Sequence, residues 1–184
     1  LDEANLSKTQ FQDASLINIH ASEILAINTH FTRSDLSQAQ FTNSYFGGAY
    51  FDKVTCTKTV FEACQLMQVY SDHANFSSTT FKTSSINLHG HQVMFKKTIF
   101  QDCDLNYAVL TEANFSQALL HQTNCDLTNF HQSTFDETEF TNVSLKQTYF
   151  RECDLAKVKL QHTDLSEAYL EDDEVKVLQT RWQQ

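Results

Sequence analysis

The sequence has no proline, only three glycines and no long hydrophobic run. Together with a mean hydropathy of −0.40, the lack of such a run excludes a membrane-spanning segment. No basic segment followed by an apolar stretch opens the chain, so no signal peptide is visible and we expect a cytoplasmic protein. Since no glycine-rich fingerprint leads into a helix, a phosphate-binding loop is excluded as well.

Positive charge is also scarce. The chain carries 13 Lys and Arg against 23 Asp and Glu, a net charge of −10, which disfavours nucleic acid as a direct ligand. The five cysteines are an odd number without metal-ligand spacing, and this favours a reducing compartment over a disulfide framework. The length of 184 residues suits one domain with a real core.

Apolar residues recur with a period of five, which fits neither an amphipathic helix nor an alternating strand. The series runs from Leu6 to Ile86 and resumes from Phe95 to Leu170, and we call its members the central positions. Of the 33 central positions 15 are Phe, including every Phe in the chain, and 12 are Leu. The residue two before each centre is always Ala, Ser, Thr, Cys, Val or Ile. The pattern predicts a narrow interior filled by one large and one small side chain per repeat.

Most exceptions to the large centre are balanced at the small position, although the short centre Cys125, preceded by Thr123, is not. Ala21 and Ala26 are the only alanine centres, and they alone are preceded there by isoleucine. The short centre Ser71 is likewise preceded by Val69. Volume lost at one inward position is thus restored at the other, as close packing requires.

Several repeats share a small residue, then Asp or Asn, then Leu or Phe, and these begin at Ala4, Ser34, Ala74, Cys103, Ala113, Cys153 and Thr163. Over residues 4–170 the chain resembles the pentapeptide-repeat family, whose pattern is A-(D/N)-L-X-X. The resemblance implies an all-β fold, a right-handed quadrilateral β-helix with four repeats per coil. About eight coils, stacked at ~4.8 Å, would make residues 1–170 a rod about 40 Å long.

The period breaks once, within residues 87–94, because Ile86 and Phe95 are nine residues apart. The economical interpretation is a four-residue insertion at a corner, with a one-residue deletion and a bent corner as the alternative. A loop on a rigid scaffold is a candidate for partner binding, although a corner insertion without function also fits. The candidate residues are His89, Gly90, His91 and Gln92. Two histidines lack further ligands at recognisable spacing, so we expect no metal and no cofactor.

Five of the six tyrosines directly precede a central position, where side chains point to solvent. Tyr50 and Tyr70 are predicted one coil apart on one face, and Tyr149 and Tyr169 one coil apart on another. Such aromatic ladders stabilise neighbouring strands by themselves. The alternative is a rigid aromatic patch that binds a protein partner.

The two ends of the chain differ. Residues 171–184 begin with an acidic run and continue with Val175, Leu178 and Trp182 at helical spacing. We expect a short C-terminal helix that caps the last coil or forms a homodimer contact. Leu1 is not Met and almost nothing precedes the first repeat, so we expect a module of a larger protein, such as a secreted bacterial effector.

No set of nucleophile, base and orienting group is recognisable, so we expect no enzyme. The leading hypothesis is a scaffold for protein–protein interaction that binds neither nucleic acid nor membrane. The alternative comes from the resemblance, since Qnr-like relatives mimic duplex DNA, bind gyrase or topoisomerase IV and counter quinolones. About 40 Å of duplex carries roughly 24 charges, which exceeds the net charge of −10 in this chain.

Overall fold

The computed structural model describes residues 1–171, which form an all-β solenoid of stacked coils. All strand pairs are parallel, and each residue pairs with its equivalent in the next coil, as Phe41 does with Phe61. Eight strands in the order β1-β2-β3-β5-β7-β9-β10-β11 form one sheet, and β4-β6-β8 form another. Seven turns therefore separate β1 from β11, and the predicted β-helix is confirmed.

Most strands are three residues long because each side of the coil is short. The strands are β1 His20–Ser22, β2 Gln40–Thr42, β3 Val60–Glu62, β4 Gln65–Tyr70, β5 Thr80–Lys82, β6 Ser85–His91, β7 Ile99–Gln101, β8 Val109–Thr111, β9 Leu119–His121, β10 Glu139–Thr141 and β11 Lys159–Gln161.

The corners explain the Asp and Asn of the repeat. Two residues after almost every central position the backbone enters the left-handed region, with φ of 57° at Lys53 and 60° at Arg33. An Asp or Asn just before the centre bridges this turn, as when Asn75 Oδ1 accepts a hydrogen bond from the N–H of Ser77 at 3.0 Å. The side chain thereby replaces a backbone acceptor, which is why these residues favour such turns.

The interior is filled as the five-residue pattern predicts. Fourteen of the fifteen phenylalanines are buried, while Phe11 is only partly buried in the first coil. Rings stack along the rod, with centroids 5.3 Å apart for Phe41–Phe61 and 5.1 Å for Phe61–Phe81. Buried threonines at the small position are also satisfied, since Thr59 Oγ1 donates to the carbonyl oxygen of Leu36 at 2.8 Å.

The predicted four-residue insertion is wrong, and the deletion alternative is correct. Before the break paired residues are 20 apart, but Phe81 pairs with Phe100, 19 residues later. β6 passes through the corner as one continuous strand, and His89 pairs with Tyr70 on one side and Val109 on the other. The missing residue is the left-handed corner residue that should follow Asn87, since no positive φ occurs between Thr83 and Gln92.

Gly90 occupies a central position in this shortened coil, and it is buried. A Cβ there would lie 2.4 Å from Ser71 Oγ and 2.5 Å from Val93 Cγ2, so no larger residue fits without rearrangement. The small position before it holds the buried Leu88, which restores the volume lost at the centre. The compensation of side-chain volume between the small and central positions, seen at Val69 and Ser71, is therefore also present at the break.

The predicted C-terminal helical cap, with Val175, Leu178 and Trp182, lies outside the described residues.

Candidate functional site

The missing corner residue aligns nine exposed or half-buried side chains in one column along the rod. Each pairs with the next through the backbone ladder. The column consists of Gln10, His30, Tyr50, Tyr70, His89, Val109, Asn129, Tyr149 and Tyr169. The predicted placement of the two tyrosine pairs on different faces is wrong, because it counted no central position at Gly90. We define the tyrosine face as this column together with the residues two and three positions after each member.

Within the column the rings stack on one another. The centroids of His30 and Tyr50 are 4.3 Å apart, those of Tyr50 and Tyr70 5.1 Å, and those of Tyr149 and Tyr169 4.5 Å. Tyr70 and Tyr149 remain 49% and 45% exposed. Because the ring faces contact one another, the ring edges and hydroxyl groups are what the column presents to solvent.

The candidate residues at the break belong to the same face and do not form a projecting loop. His89 is in the column, Gly90 is buried, and His91 and Gln92 flank the column. The N–H of His91 donates to Asp72 Oδ1 at 2.8 Å, and Gln92 Nε2 donates to Glu112 Oε2 at 2.9 Å. Neighbouring coils therefore hold these side chains in place, and the two sets of candidates form one surface.

Sequence reasoning missed Gln10, His30, Val109 and Asn129 as column members. A spacing of 20 residues, reduced to 19 across the break, is the signal that finds them. Charged residues beside the column were missed too, among them Asp52 and Lys53 near one end and Arg151 and Glu152 near the other. Arg151 is 70% exposed and its Nε lies 3.3 Å from Glu171 Oε1.

Along the rod, on the tyrosine face and on other sides, basic side chains pair with acidic ones one coil away. These ion pairs are Arg33–Asp13 at 2.7 Å, Lys82–Glu62 at 2.7 Å, Lys157–Asp136 at 2.8 Å and Lys159–Glu139 at 2.5 Å. Hydrogen bonding from the Arg33 guanidinium lowers the pKa of Asp13. Acidic charge is thus interrupted by basic charge along the rod and does not form a continuous stripe.

The buried thiols are poorly suited to nucleophilic chemistry. Burial raises the pKa of Cys64 and of Cys103 to about 11 and raises those of Cys56 and Cys125 well above the usual value. Since the thiolate is the reactive form, these thiols are unreactive at neutral pH. Cys153 is buried as well.

A depression of ≈ 360 Å³ lies near the C-terminal end of the described region, where residues 142–146 meet residues 162–167. Its polar lining mixes Lys146 and His162 with Asp164 and Glu167. Among residues 1–171, no three His, Cys, Asp or Glu are grouped to hold a metal ion. The same region has no helix that is long and apolar enough to cross a membrane.

Comparison with known proteins supports the family assignment. The family model described as pentapeptide repeats matches in eight copies, over residues 4–48, 22–55, 98–136 and 135–172. No curated protein sequence matches the chain significantly. HetL, a pentapeptide repeat protein involved in heterocyst differentiation regulation from the cyanobacterium Nostoc sp. strain PCC 7120, is similar in structure, with a TM-score of 0.53. It is 18% identical, and the match covers 92% of this chain and 84% of HetL.

A trypsin-treated form of QnrB1, a plasmid-mediated fluoroquinolone resistance protein, is similar with a TM-score of 0.56. It is 13% identical, and the match covers 100% of this chain and 94% of that protein. At these identities both likenesses show the fold alone. Since the family model spans more than half of the sequence, the chain belongs to the pentapeptide-repeat family.

Proposed function

We propose that the protein is a non-enzymatic scaffold that binds another protein through the tyrosine face. It acts in the cytoplasm, or as a module of a larger bacterial protein such as a secreted effector. The observation that carries the proposal is the continuous column from Gln10 to Tyr169, which crosses all the coils on one side of the rod.

Tyrosine is well suited to this role because it combines a large apolar ring with a hydroxyl group that forms hydrogen bonds. Tyr50, Tyr70, Tyr149 and Tyr169 are already stacked in the free protein, so binding costs little side-chain entropy. Tyrosine is also enriched among the residues that dominate binding energy at protein interfaces. The rigid coil ladder holds all four at fixed spacing.

The charge pattern favours a scaffold over a DNA mimic. Residues 1–171 carry 20 Asp and Glu but also 11 Lys and Arg. Several basic side chains sit directly over acidic ones, as Arg33 does over Asp13 and Lys82 over Glu62. A mimic of the phosphate backbone needs uninterrupted negative charge, roughly one per 1.7 Å of rod.

A filled interior does not favour a catalytic function, because it offers no enclosed space for an active site. The largest side chains, from Phe31 to Phe135, have almost no exposed surface, so within residues 1–171 they fill the coil and leave no lumen in which reacting groups could converge. The buried thiols of Cys64 and Cys103 stay protonated at neutral pH.

Photo-crosslinking in bacterial cells tests the proposal. Benzoylphenylalanine replaces Tyr70 in one variant, Tyr149 in a second and Leu119 in a control variant. Leu119 is 40% exposed, similar to the tyrosines, but lies on the eight-stranded sheet two faces away. We expect discrete protein adducts from positions 70 and 149 and none from position 119.

Adducts of equal yield from all three positions, or from none, would contradict a binding role for the tyrosine face. An adduct with a type II topoisomerase, lost at high salt, would favour the DNA-mimic function instead.

A further inference from the structure

We infer that the partner of the tyrosine face is a second copy of this chain, docked antiparallel to form a two-fold symmetric dimer. The inference rests on the proposed function, because it assigns an occupant to the same face. It differs from the dimer contact expected for residues 171–184, since it uses the side of the rod.

The tyrosine face carries the same sequence twice with inverted charge. Tyr50-Phe51-Asp52-Lys53 and Tyr149-Phe150-Arg151-Glu152 lie on this face five coils apart. In both segments the Tyr belongs to the column and the Phe is buried at the central position. After the Phe, the first segment has an acidic and then a basic residue, whereas the second has a basic and then an acidic residue.

An antiparallel arrangement brings the two segments together. A two-fold axis across the face, midway between the coils of His89 and Val109, exchanges the coil of Tyr50 with that of Tyr149. Asp52 then faces Arg151 of the partner subunit, and Lys53 faces Glu152 of the partner subunit. Symmetry generates each ion pair twice, so four opposite-charge contacts flank one aromatic contact surface.

The aromatic column fits the same register. Tyr50 faces Tyr149 of the partner subunit, and Tyr70 faces Asn129 of the partner subunit. At the axis His89 faces Val109 of the partner subunit. Large rings therefore lie opposite smaller side chains near the axis, which lets two nearly flat faces approach closely.

The charges are available for such contacts. Lys53 is exposed, and within residues 1–171 it forms no ion pair with its own chain. Arg151 is 70% exposed even though it lies near Glu152 and Glu171. Glu152 accepts one hydrogen bond, from Gln132 at 2.7 Å, and keeps acceptor capacity.

The contact area predicts a weak but specific dimer. A face about 40 Å long and about 15 Å wide buries roughly 600 Å² on each subunit, at the lower limit of specific interfaces. We therefore expect a Kd of micromolar order that rises with salt, because the ion pairs lie at the rim.

Analytical ultracentrifugation of the purified full chain tests the inference. Lys53→Glu should raise the dimer Kd roughly tenfold, because two attractive contacts become repulsive. Glu152→Lys should do the same, and the double variant Lys53→Glu/Glu152→Lys should return to within roughly threefold of the original value. Lys58→Glu is the matched control, since Lys58 is an exposed left-handed corner residue on the adjoining face and should leave the Kd unchanged.

A chain that stays monomeric at near-millimolar concentration overturns the inference. So does a dimer that ignores Lys53→Glu, a double variant without recovery, or an equal effect of Lys58→Glu. If the pure chain is monomeric but position 70 still crosslinks to a different protein in cells, the inference fails and the proposed function stands. If it is monomeric and no adduct forms at position 70, both fail.

Discussion

At the residue scale, stability depends on inward side chains whose size is fixed by two positions per repeat. Phe130 is fully buried, and its ring lies 5.2 Å from that of Phe115 and 5.4 Å from that of Phe150. It thus joins three successive coils. Because the solenoid is stabilised by contacts between neighbouring coils, damage at one centre acts on the coils beside it.

We expect Phe130→Asp to unfold at least these coils. A buried unpaired carboxylate costs several kcal/mol, and the lost ring adds about 3 kcal/mol or more. Phe130→Leu is the matched control and should cost only about 1 kcal/mol, since Leu already fills many centres. Urea unfolding followed by circular dichroism measures both, and unchanged stability of the Asp variant would contradict the inward assignment.

The buried thiols predict a loss of stability in alkali. Burial raises the pKa of Cys64 and Cys103 to about 11 in the folded protein, whereas the unfolded thiols ionise near 9.0. Protonated thiols therefore contribute stability below pH 9, and this contribution is lost as pH rises from about 9 to about 11. We expect the Tm to fall over this range, as measured by differential scanning calorimetry.

The double variant Cys64→Ser/Cys103→Ser removes the contribution of these two thiols, and serine is tolerated there because it occupies the equivalent position in the neighbouring coils at Ser44 and Ser84. Its Tm should fall less steeply between pH 9 and pH 11. Parallel declines of the Tm in the two proteins would show that Cys64 and Cys103 are not responsible.

At the scale of a single element, β6 shows how one missing residue changes a coil. Without a left-handed residue after Asn87 the strand runs straight through the corner. The backbone then passes so close to the interior that only glycine fits at position 90. The shortened corner and Gly90 are therefore one feature.

Gly90→Leu should destabilise the protein by roughly 3 kcal/mol or more, because its Cβ would collide with Ser71 and Val93. Inserting one glycine after Asn87 restores the five-residue step and moves the backbone outward. We expect Gly90→Leu to be tolerated when it is combined with this insertion. Urea unfolding of the two single variants and the combination measures the coupling. Additive losses would contradict a common origin of the corner and the glycine.

The fold could be predicted from the sequence because its repeat is local. Each five residues show the same packing rule, with one large and one small inward side chain. The register across the break could not be determined this way. A spacing of nine residues can be one repeat with four inserted residues or two repeats with one residue missing. The decisive signal was the pair Leu88 and Gly90, which follows the volume balance of Val69 and Ser71. The column of Tyr50 and Tyr149 depends on that register, so its continuity needed the three-dimensional pairing.

At the scale of the whole molecule, the rod presents four nearly flat sides with different chemistry. The tyrosine face combines the aromatic column with charged residues beside it, and opposite charges also alternate along the eight-stranded sheet, as at Glu62 and Lys82. A flat side that combines aromatic rings with charged groups is suited to bind a protein surface. A single missing residue makes this face continuous.

Disulfide formation across the break can show whether one residue is missing there. With one residue missing, Thr80 pairs with Ile99, and neighbouring strands at ~4.8 Å allow a disulfide between them. With a four-residue insertion, Thr80 would pair with Asp104 instead. We predict that Thr80→Cys/Ile99→Cys forms the bond under mild oxidation, as mapped by peptide mass spectrometry, and that Thr80→Cys/Asp104→Cys does not. The reverse result would place Tyr149 and Tyr169 on a neighbouring face and would contradict a continuous column.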